Sequence, residues 1–312
     1  MEIKSLNYFV NKEKGKSCLL VGGSNSARNF EFKKFKGIVI CFGDSIIRFK
    51  KQIKPKYWIA SNEFFPIPDI PSHLKLINSS KTTLLFSNTN AYGGIRNFNR
   101  ESLDRRLKVN WFAWDHIHKN KKYCNKKKKC CSFISKTETS LLDVFCNYFH
   151  EKNFFKLPSG TIAIEALAFA MILGCKKIYI SGVDLPEYRK DHYAGIFDKK
   201  TSKTNIIIRK YINDGISDYK KIQMKNNKPI NLFKIFIYKS FNKLYQNLVD
   251  LKNSRLVFKN FKLTSSFYQE RKNILFNFNK ISNVAKSKNI EIYNTSKYSM
   301  LNKIKNIKKL YK

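Results

Sequence analysis

Residues Leu157–Asp184 read LPSGTIAIEALAFAMILGCKKIYISGVD, the longest nearly uncharged run in a Lys-rich chain. Ser159 and Gly160 open it as a polar cap and a small residue open a helix. Thr161 to Leu173 is apolar on almost every side, Glu165 excepted, so this helix is expected to be buried all round rather than amphipathic. Gly174 supplies a helix stop, because glycine adopts positive φ without penalty. Lys176 and Lys177 return the chain to the surface. Ile178-Tyr179-Ile180 then reads as a short buried strand, and Ser181-Gly182-Val183-Asp184 leaves its carboxyl end. A helix feeding a strand that ends in Gly-x-Asp puts polar groups at the edge where open α/β sheets bind ligands.

The same pattern recurs upstream. Ser17-Cys18-Leu19-Leu20-Val21 reads as a strand followed at once by Gly22-Gly23-Ser24-Asn25-Ser26. Such a small-residue loop brings backbone N–H groups close to a phosphate. It is neither GxGxxG nor a P-loop, and an ordinary strand-to-helix turn has the same composition. Gly37–Phe42 reads as a second strand ending at Gly43-Asp44-Ser45. Tyr57–Ala60 reads as a third, ending at Ser61-Asn62-Glu63. His73–Asn78 and Thr82–Ser87 read as two further short strands. The expected fold is therefore α/β, a Rossmann-like and mostly parallel sheet flanked by helices, within a single domain spanning 1–312.

Between Thr89 and Ser135 the pattern is irregular. Trp111, Phe112 and Trp114 read as an aromatic knot in a surface loop beside Asp115, His116 and His118. Lys119–Lys129 is a basic loop, and Glu138–His150 a helix. After Asp184 the chain turns polar, and 185–230 reads as a lid-like insertion with Tyr188, His192 and Tyr193 as its ligand contacts. Asn231–Leu251 has helical spacing, Leu256–Phe258 reads as a strand, Ile281–Lys288 as a short helix, and Ile290–Ser296 as a last strand and loop. In the tail, 298–312, apolar residues recur at helical intervals between lysines. That pattern suits a basic amphipathic helix, either on an anionic membrane or packed on the domain.

The 312 residues carry a formal net charge of +39. So large an excess predicts a polyanionic partner, although an AT-rich coding sequence produces the same Lys, Asn, Ile and Phe bias. Nucleic acid is not the expected partner, since Arg clusters and reader motifs are missing. Seven cysteines without regular spacing point to reduced thiols and a cytoplasmic protein. Cys18, Cys41, Cys146 and Cys175 read as small core residues, while Cys124, Cys130 and Cys131 lie in the basic loop. The start of the chain lacks a signal peptide pattern, and no uncharged run reaches the ~18 to 20 residues of a membrane span.

PSGTIAIEALAFAMILGCKKIYISGVDLPEY resembles the central segment of bacterial sialyltransferases of glycosyltransferase family 42, which act on lipooligosaccharide. VGGSNS is similar to that family's loop after the first strand, IASNEFF to its third strand, and IEIYNTSKYSML to its closing strand. The resemblance covers the two ends and the centre, but not 89–150 or 195–280.

It implies one Rossmann-like domain whose lid folds over CMP-sialic acid, inverting transfer to a cell-surface glycan, and no obligatory metal or other cofactor. Gly22, Gly23, Ser24 and Asn25 would approach the donor phosphate. Asp44 and Asn62 would hold the nucleotide or sugar. Lys156, Ser159 and Gly160 would face the donor at a helix N-terminus, and Asp184 would start the lid. Tyr188 and Tyr193 would stand where the family's tyrosines hold the leaving phosphate, the first of them shifted from Pro186.

The chain departs from the family at several positions. Gly23 replaces an Asn, Lys156 replaces an Arg, and no His follows His192, the remaining candidate base. The second-strand Asn of the family falls within Phe42-Gly43-Asp44. The chain is expected in the cytoplasm, and peripheral on the inner face of the cytoplasmic membrane if the basic tail lies on it, with monomer and homo-oligomer both open. The same SG…LG…IxGxD pattern resembles the DUF115 group, relatives of 6-hydroxymethylpterin pyrophosphokinase-like proteins. On that alternative ATP and Mg²⁺ would bind, with Asp44 and Asp184 near the cation. A non-catalytic descendant lacking the base is the third reading.

Overall fold

The computed structural model describes residues 5–60, 65–87, 100–114, 141–151, 161–184, 203–226, 265–297 and 299–311. Eight strands form one sheet: β1 (Ser17–Val21), β2 (Ile38–Phe42), β3 (Tyr57–Ala60), β4 (Thr83–Ser87), β5 (Trp111–Trp114), β6 (Lys177–Ser181), β7 (Glu291–Asn294) and β8 (Ile307–Lys309). Their order is β5-β4-β3-β2-β1-β6-β7-β8, and every neighbouring pair is parallel. The chain winds outward from β1 to β5, returns to the far side of β1, and winds outward again to β8. This is the expected Rossmann-like α/β sheet, with its topological switch between β1 and β6.

Side chains alternate across the sheet with period two. Cys18, Leu20, Ile40, Ile59, Ile178, Ile180 and Ile292 point to one face, where they meet α4 (Leu141–Tyr148), α5 (Ile162–Ile172) and α7 (Ser265–Ser287). Leu19, Val21, Cys41, Trp58, Leu84 and Phe86 point to the other. There they meet α1 (Ser45–Arg48), α2 (Pro71–Ser80), α3 (Arg100–Arg106) and α6 (Lys203–Asn226). Cys18, Cys41, Cys146 and Cys175 are all buried free thiols, as small core residues should be.

The central helix α5 is buried from Ala163 through Ile172. The sheet covers one side of it, and α4, α7 and the N-terminal turn cover the rest. Phe169 packs edge-on against Phe9 and Tyr57 at centroid distances of 5.1 and 5.3 Å. Truncating such a ring to Ala removes about 3–5 kcal/mol. The cap is Thr161, whose hydroxyl accepts from the Ala163 N–H, and not Ser159. Gly174 ends the helix at φ +79°. The carbonyls of Ile172, Leu173 and Gly174 then accept from the amides of Asn11, Glu13 and Gly15. A buried helix end is thereby satisfied by the neighbouring chain rather than by water.

Glu13 sits in that seam, 1% exposed. Its carboxylate accepts from Lys16 Nζ (2.8 Å) and Tyr57 Oη (2.8 Å) and pairs with Lys56 Nζ (2.5 Å). Burial pushes its pKa up, but the bonds from Lys16, Lys56 and Tyr57 outweigh burial and hold it at about 2. Because the folded pKa lies below the unfolded one, Glu13 stabilises the fold above about pH 4.5, and that contribution is lost as the pH falls toward 2. Glu13→Gln should remove on the order of 3 kcal/mol at pH 7. Urea unfolding of parent and variant at pH 7 and pH 3 checks this, because the difference should shrink at the lower pH.

Several sequence expectations are corrected. Residues 73–78 are helix α2, not a strand. Pro71 takes the first helical position, and His73, Leu76 and Ile77 bury one face at spacings of three and four. Trp111–Trp114 is strand β5, not a surface loop, and Trp111 is wholly buried. The short helix expected at 281–288 is the end of the longer α7.

Within the expected insertion 185–230, residues 203–226 form helix α6. It is anchored where His73 Nε2 donates to the Tyr211 carbonyl (2.9 Å) and Ser72 Oγ to Asp214 (3.0 Å). The tail is not one amphipathic helix. It forms a 3₁₀ turn at Met300–Lys303 and edge strand β8, burying Leu301, Ile304 and Ile307 against the domain. Among the described residues, no helix is long and apolar enough to cross a membrane.

The expected helix 231–251, the strand 256–258, the Asp115/His116/His118 group and Cys124, Cys130 and Cys131 lie outside the described residues.

Candidate functional site

A parallel sheet brings all its strand ends to one edge, and open α/β sheets bind ligands in the crevice where the strand order switches. Here the loops at that switch are Gly22–Ser26 after β1 and Gly182–Asp184 after β6. The amide of Gly22 donates to the Ser181 carbonyl (2.8 Å), and that of Ser24 to the Gly182 carbonyl (3.1 Å). The two glycines interlock. A Cβ on Gly22 would overlap the Gly182 carbonyl, 2.9 Å from its carbon. Gly182 itself has φ +71°, and its Cβ would come 2.6 Å from the Gly22 oxygen and 2.9 Å from the Ala27 Cβ. Only glycine fits either place.

Asp184 ties three loops together. Its Oδ1 accepts from Ser26 Oγ and from Ser296 Oγ (2.8 Å), and its Oδ2 from the Ser26 amide (3.5 Å). The loop after β7 is latched to the same place. Ser299 Oγ donates to the Val183 carbonyl (2.7 Å), and Thr295 donates to the Ile180 carbonyl through both its amide (3.0 Å) and its hydroxyl (3.1 Å). Asn294 is fully buried and closes the turn, accepting from the Ser296 amide and donating to the Ser296 carbonyl. Asp184 thus holds the loops after β1, β6 and β7 together instead of standing free.

On the other side of β1, Gly43-Asp44-Ser45 ends β2. Ser45 Oγ folds back onto the Phe42 carbonyl (2.9 Å), and Trp58 Nε1 donates to the Gly43 carbonyl (3.0 Å). Asp44 pairs with Arg48 one helical turn later, Nε to Oδ2 at 2.9 Å. The Arg48 side chain is only 6% exposed. Burial raises the Asp44 pKa above its ordinary value, against the pull of Arg48. Both groups flank Gly23, where a Cβ would strike the Asp44 carboxylate and come 3.4 Å from Arg48 Nε. This pair therefore sets a partly buried ion pair beside the small-residue loop.

The amides of Gly22, Ser24 and Ser26 are committed to Ser181, Gly182 and Asp184. Gly23 makes no such bond among the described residues, and the Asp44 and Arg48 side chains lie beside it. Sequence reading missed Arg48, Ser26, Ser296 and Ser299. The Asp44/Arg48 spacing of four was a visible signal for an ion pair, but nothing local marks the serines.

Of the expected site residues, Gly22, Gly23, Ser24, Asp44 and Asp184 are brought to this edge, and Asn25 opens the 3₁₀ turn that follows β1. Asn62, Lys156, Ser159, Gly160, Tyr188, His192 and Tyr193 lie outside the described residues. Among the described residues, no cluster of three His, Cys, Asp or Glu side chains has the grouping a metal ion needs.

No known family model matches the chain, and no curated protein does. Among solved structures it is similar to a variant of the sialyltransferase CstII in complex with CMP, at 14% identity over 94% of this chain and 86% of that one, with a TM-score of 0.41. It is similar to CstII from Campylobacter jejuni in complex with CMP-3FNeuAc at 17% identity, over 64% and 76% of the two chains, with a TM-score of 0.30. For the apo alpha-2,3-sialyltransferase from Campylobacter jejuni the values are 14%, 65%, 74% and 0.32.

Proposed function

We propose that the chain is a glycosyltransferase of sialyltransferase type. It moves sialic acid or a related nonulosonic acid from a CMP-sugar to a cell-surface glycan such as lipooligosaccharide. One observation carries this reading. Three segments that resemble the family's motifs, VGGSNS, YISGVD and IEIYNTS, are far apart in sequence yet share one set of hydrogen bonds. Ser26 and Ser296, 158 and 112 residues from Asp184, both donate to its carboxylate. Neighbouring parallel strands bring their end loops together in any such sheet, and here three of those loops also share one carboxylate.

In this reading Gly22 and Gly182 set the width of the crevice, and the Gly23 amide meets the donor phosphate. Arg48, held by Asp44, adds positive charge as CMP leaves. Asn25, Asn62, Lys156, Ser159 and Gly160 complete the donor contacts. The acceptor hydroxyl attacks the anomeric carbon as the bond to the CMP phosphate breaks. The hydroxyl proton passes to a base, for which His192 is the candidate, and Tyr188 and Tyr193 hold the leaving phosphate.

The ATP and Mg²⁺ alternative asks Asp44 and Asp184 to serve a cation. Their carboxylates are instead engaged by Arg48 and by two serines, which favours the metal-independent reading.

Isothermal titration separates the readings. CMP should bind the full chain without added metal, and Gly23→Val should abolish binding by filling the space against Asp44. Binding of ATP with Mg²⁺ but of no cytidine nucleotide would overturn the proposal. CMP binding without turnover of any CMP-sugar would point to the non-catalytic descendant, and full turnover in His192→Ala would remove that residue as base.

A further inference from the structure

The opposite edge of the sheet has its own chemistry. Each of the eight strands is preceded, within three residues, by an exposed lysine. Lys16 precedes β1, Lys36 β2 and Lys56 β3. Lys81, Lys108 and Lys176 precede β4, β5 and β6, and Lys288 and Lys305 precede β7 and β8. In sequence these lysines are scattered over nearly 300 positions. The parallel topology gathers them on one edge. At a strand spacing of about 4.8 Å that edge is about 34 Å long.

The charge is not evenly countered along the edge. Near β1 and β3, Lys16 and Lys56 are paired with Glu13. At the β6–β8 end a cavity of about 590 Å³ is lined by Lys176, Lys177, Lys286, Lys305 and Lys308, with Glu291 its one carboxylate, bonded to Lys308. The remaining lining is asparagine and the edges of Ile290 and Ile292. Four lysines more than the local carboxylate can balance therefore surround a concave surface. It lies a strand's length, about 16 Å, from the crevice edge.

We propose that this β6–β8 end of the sheet docks the protein on an anionic membrane, with lipid phosphates entering the lysine-lined cavity. Clustered lysines near a bilayer act through the surface potential of its acidic lipids, and the attraction fades within a Debye length, about 10 Å at 0.1 M salt. Docking through the strand starts turns the strand ends, and the crevice between β1 and β6, away from the bilayer toward soluble donor. The inference rests on the placement of lysines and not on the identity of the donor. It also differs from an amphipathic tail, since Leu301, Ile304 and Ile307 are buried in the domain and cannot enter lipid.

The test is co-sedimentation of the full chain with vesicles of phosphatidylcholine alone and with about one-third phosphatidylglycerol. Binding should need the anionic lipid and should vanish at about 0.5 M NaCl. A triple variant, Lys177→Ser, Lys286→Ser and Lys305→Ser, should lower vesicle affinity on the order of a hundredfold. Removing the same charge at the crevice edge, with Lys297→Ser, Lys303→Ser and Lys309→Ser, should lower it only a few-fold. All six lysines are exposed, so both variants should fold, which circular dichroism checks. Equal losses in the two variants would overturn the proposal, since diffuse charge alone would then explain binding. So would failure of the parent to bind anionic vesicles. An oligonucleotide that binds the parent and not the first variant, in the absence of vesicle binding, would reassign the edge to nucleic acid. Inorganic phosphate or a soluble lipid headgroup that saturates the cavity without any vesicle binding would reassign it to a free phosphate ligand.

Discussion

Gly182→Ala is expected to abolish CMP binding and to lower stability by about 3 kcal/mol or more. The substitution meets two obstacles at once. At φ +71° an alanine pays a left-handed backbone penalty of about 1 kcal/mol. Its methyl would also press on the Gly22 oxygen at 2.6 Å and the Ala27 Cβ at 2.9 Å, distances real side chains do not adopt. The loops after β1 and β6 would have to part, and the Ser24–Gly182 bond and the Ser26–Asp184 clasp lie directly on that seam. Gly22→Ala should act in the same way through the Gly182 carbonyl, without the backbone penalty.

Gly43→Ala is the informative control. Gly43 has φ +60°, but nothing lies within 4 Å of its Cβ position. It should therefore lose only about 1 kcal/mol and leave the proposed CMP binding unchanged. Thermal unfolding and calorimetric titration of the three variants measure both quantities. If Gly182→Ala behaves like Gly43→Ala, the interlock is not what holds the crevice.

Glu165→Gln is expected to flatten the dependence of stability on pH. Glu165 lies in the first turn of α5, and burial alone pushes its pKa up to about 8. Below about pH 4.5 the carboxyl is protonated both folded and unfolded, and the fold has its full stability. Between about pH 4.5 and 8 the unfolded chain releases the proton while the folded chain keeps it. Stability then falls by about 1.4 kcal/mol per pH unit, or about 3 kcal/mol from pH 5 to 7.5.

The raised pKa of Asp44 works in the same direction, whereas Glu13 acts only at lower pH. Glutamine cannot titrate, so the variant should gain on the parent steadily as the pH rises. Urea unfolding at pH 5, 6, 7 and 7.5 gives the slopes, and parallel lines for parent and variant would refute the assignment.

Much of the fold was legible because its local signals agree with its global form. β1, β2, β3 and β6 are apolar runs closed by small or polar residues, as fully covered parallel strands should be. The buried α5 announced itself by the absence of a polar face. The misreadings share one cause. His73–Asn78 is short and mixed, and Pro71 decides it as a helix start only once Ile77 and Leu76 have a sheet to pack against. Trp111 and Phe112 look like a knot in isolation, yet the exposed strand edge of β4 recruits them into the sheet. The tail has helical spacing, but pairing with β7 satisfies its backbone, and burial of Ile304 and Ile307 outweighs its weak helical preference.

The candidate site divides along the same line. Gly22, Gly23 and Asp44 were visible because a small or acidic residue after a strand is a local pattern. Ser26, Ser296 and Ser299 were not, because serine is common in loops and only the partner gives it meaning. Arg48 lay between, its spacing from Asp44 visible but its burial beside Gly23 hidden.

By itself, the sequence determined β1, β2, β3, β4, β6 and β7, the buried helix within Leu157–Asp184, and the small-residue loops that follow β1, β2 and β6. These follow from period, capping and conformational freedom, which are properties of neighbouring residues. Only the tertiary structure decided that Gly22 and Gly182 interlock, that Asp184 joins loops from β1 and β7, and that lysines from eight strand starts share one edge. Those facts depend on the order in which parallel strands pair, and pairing is set by burial across the whole sheet rather than by any local run of residues.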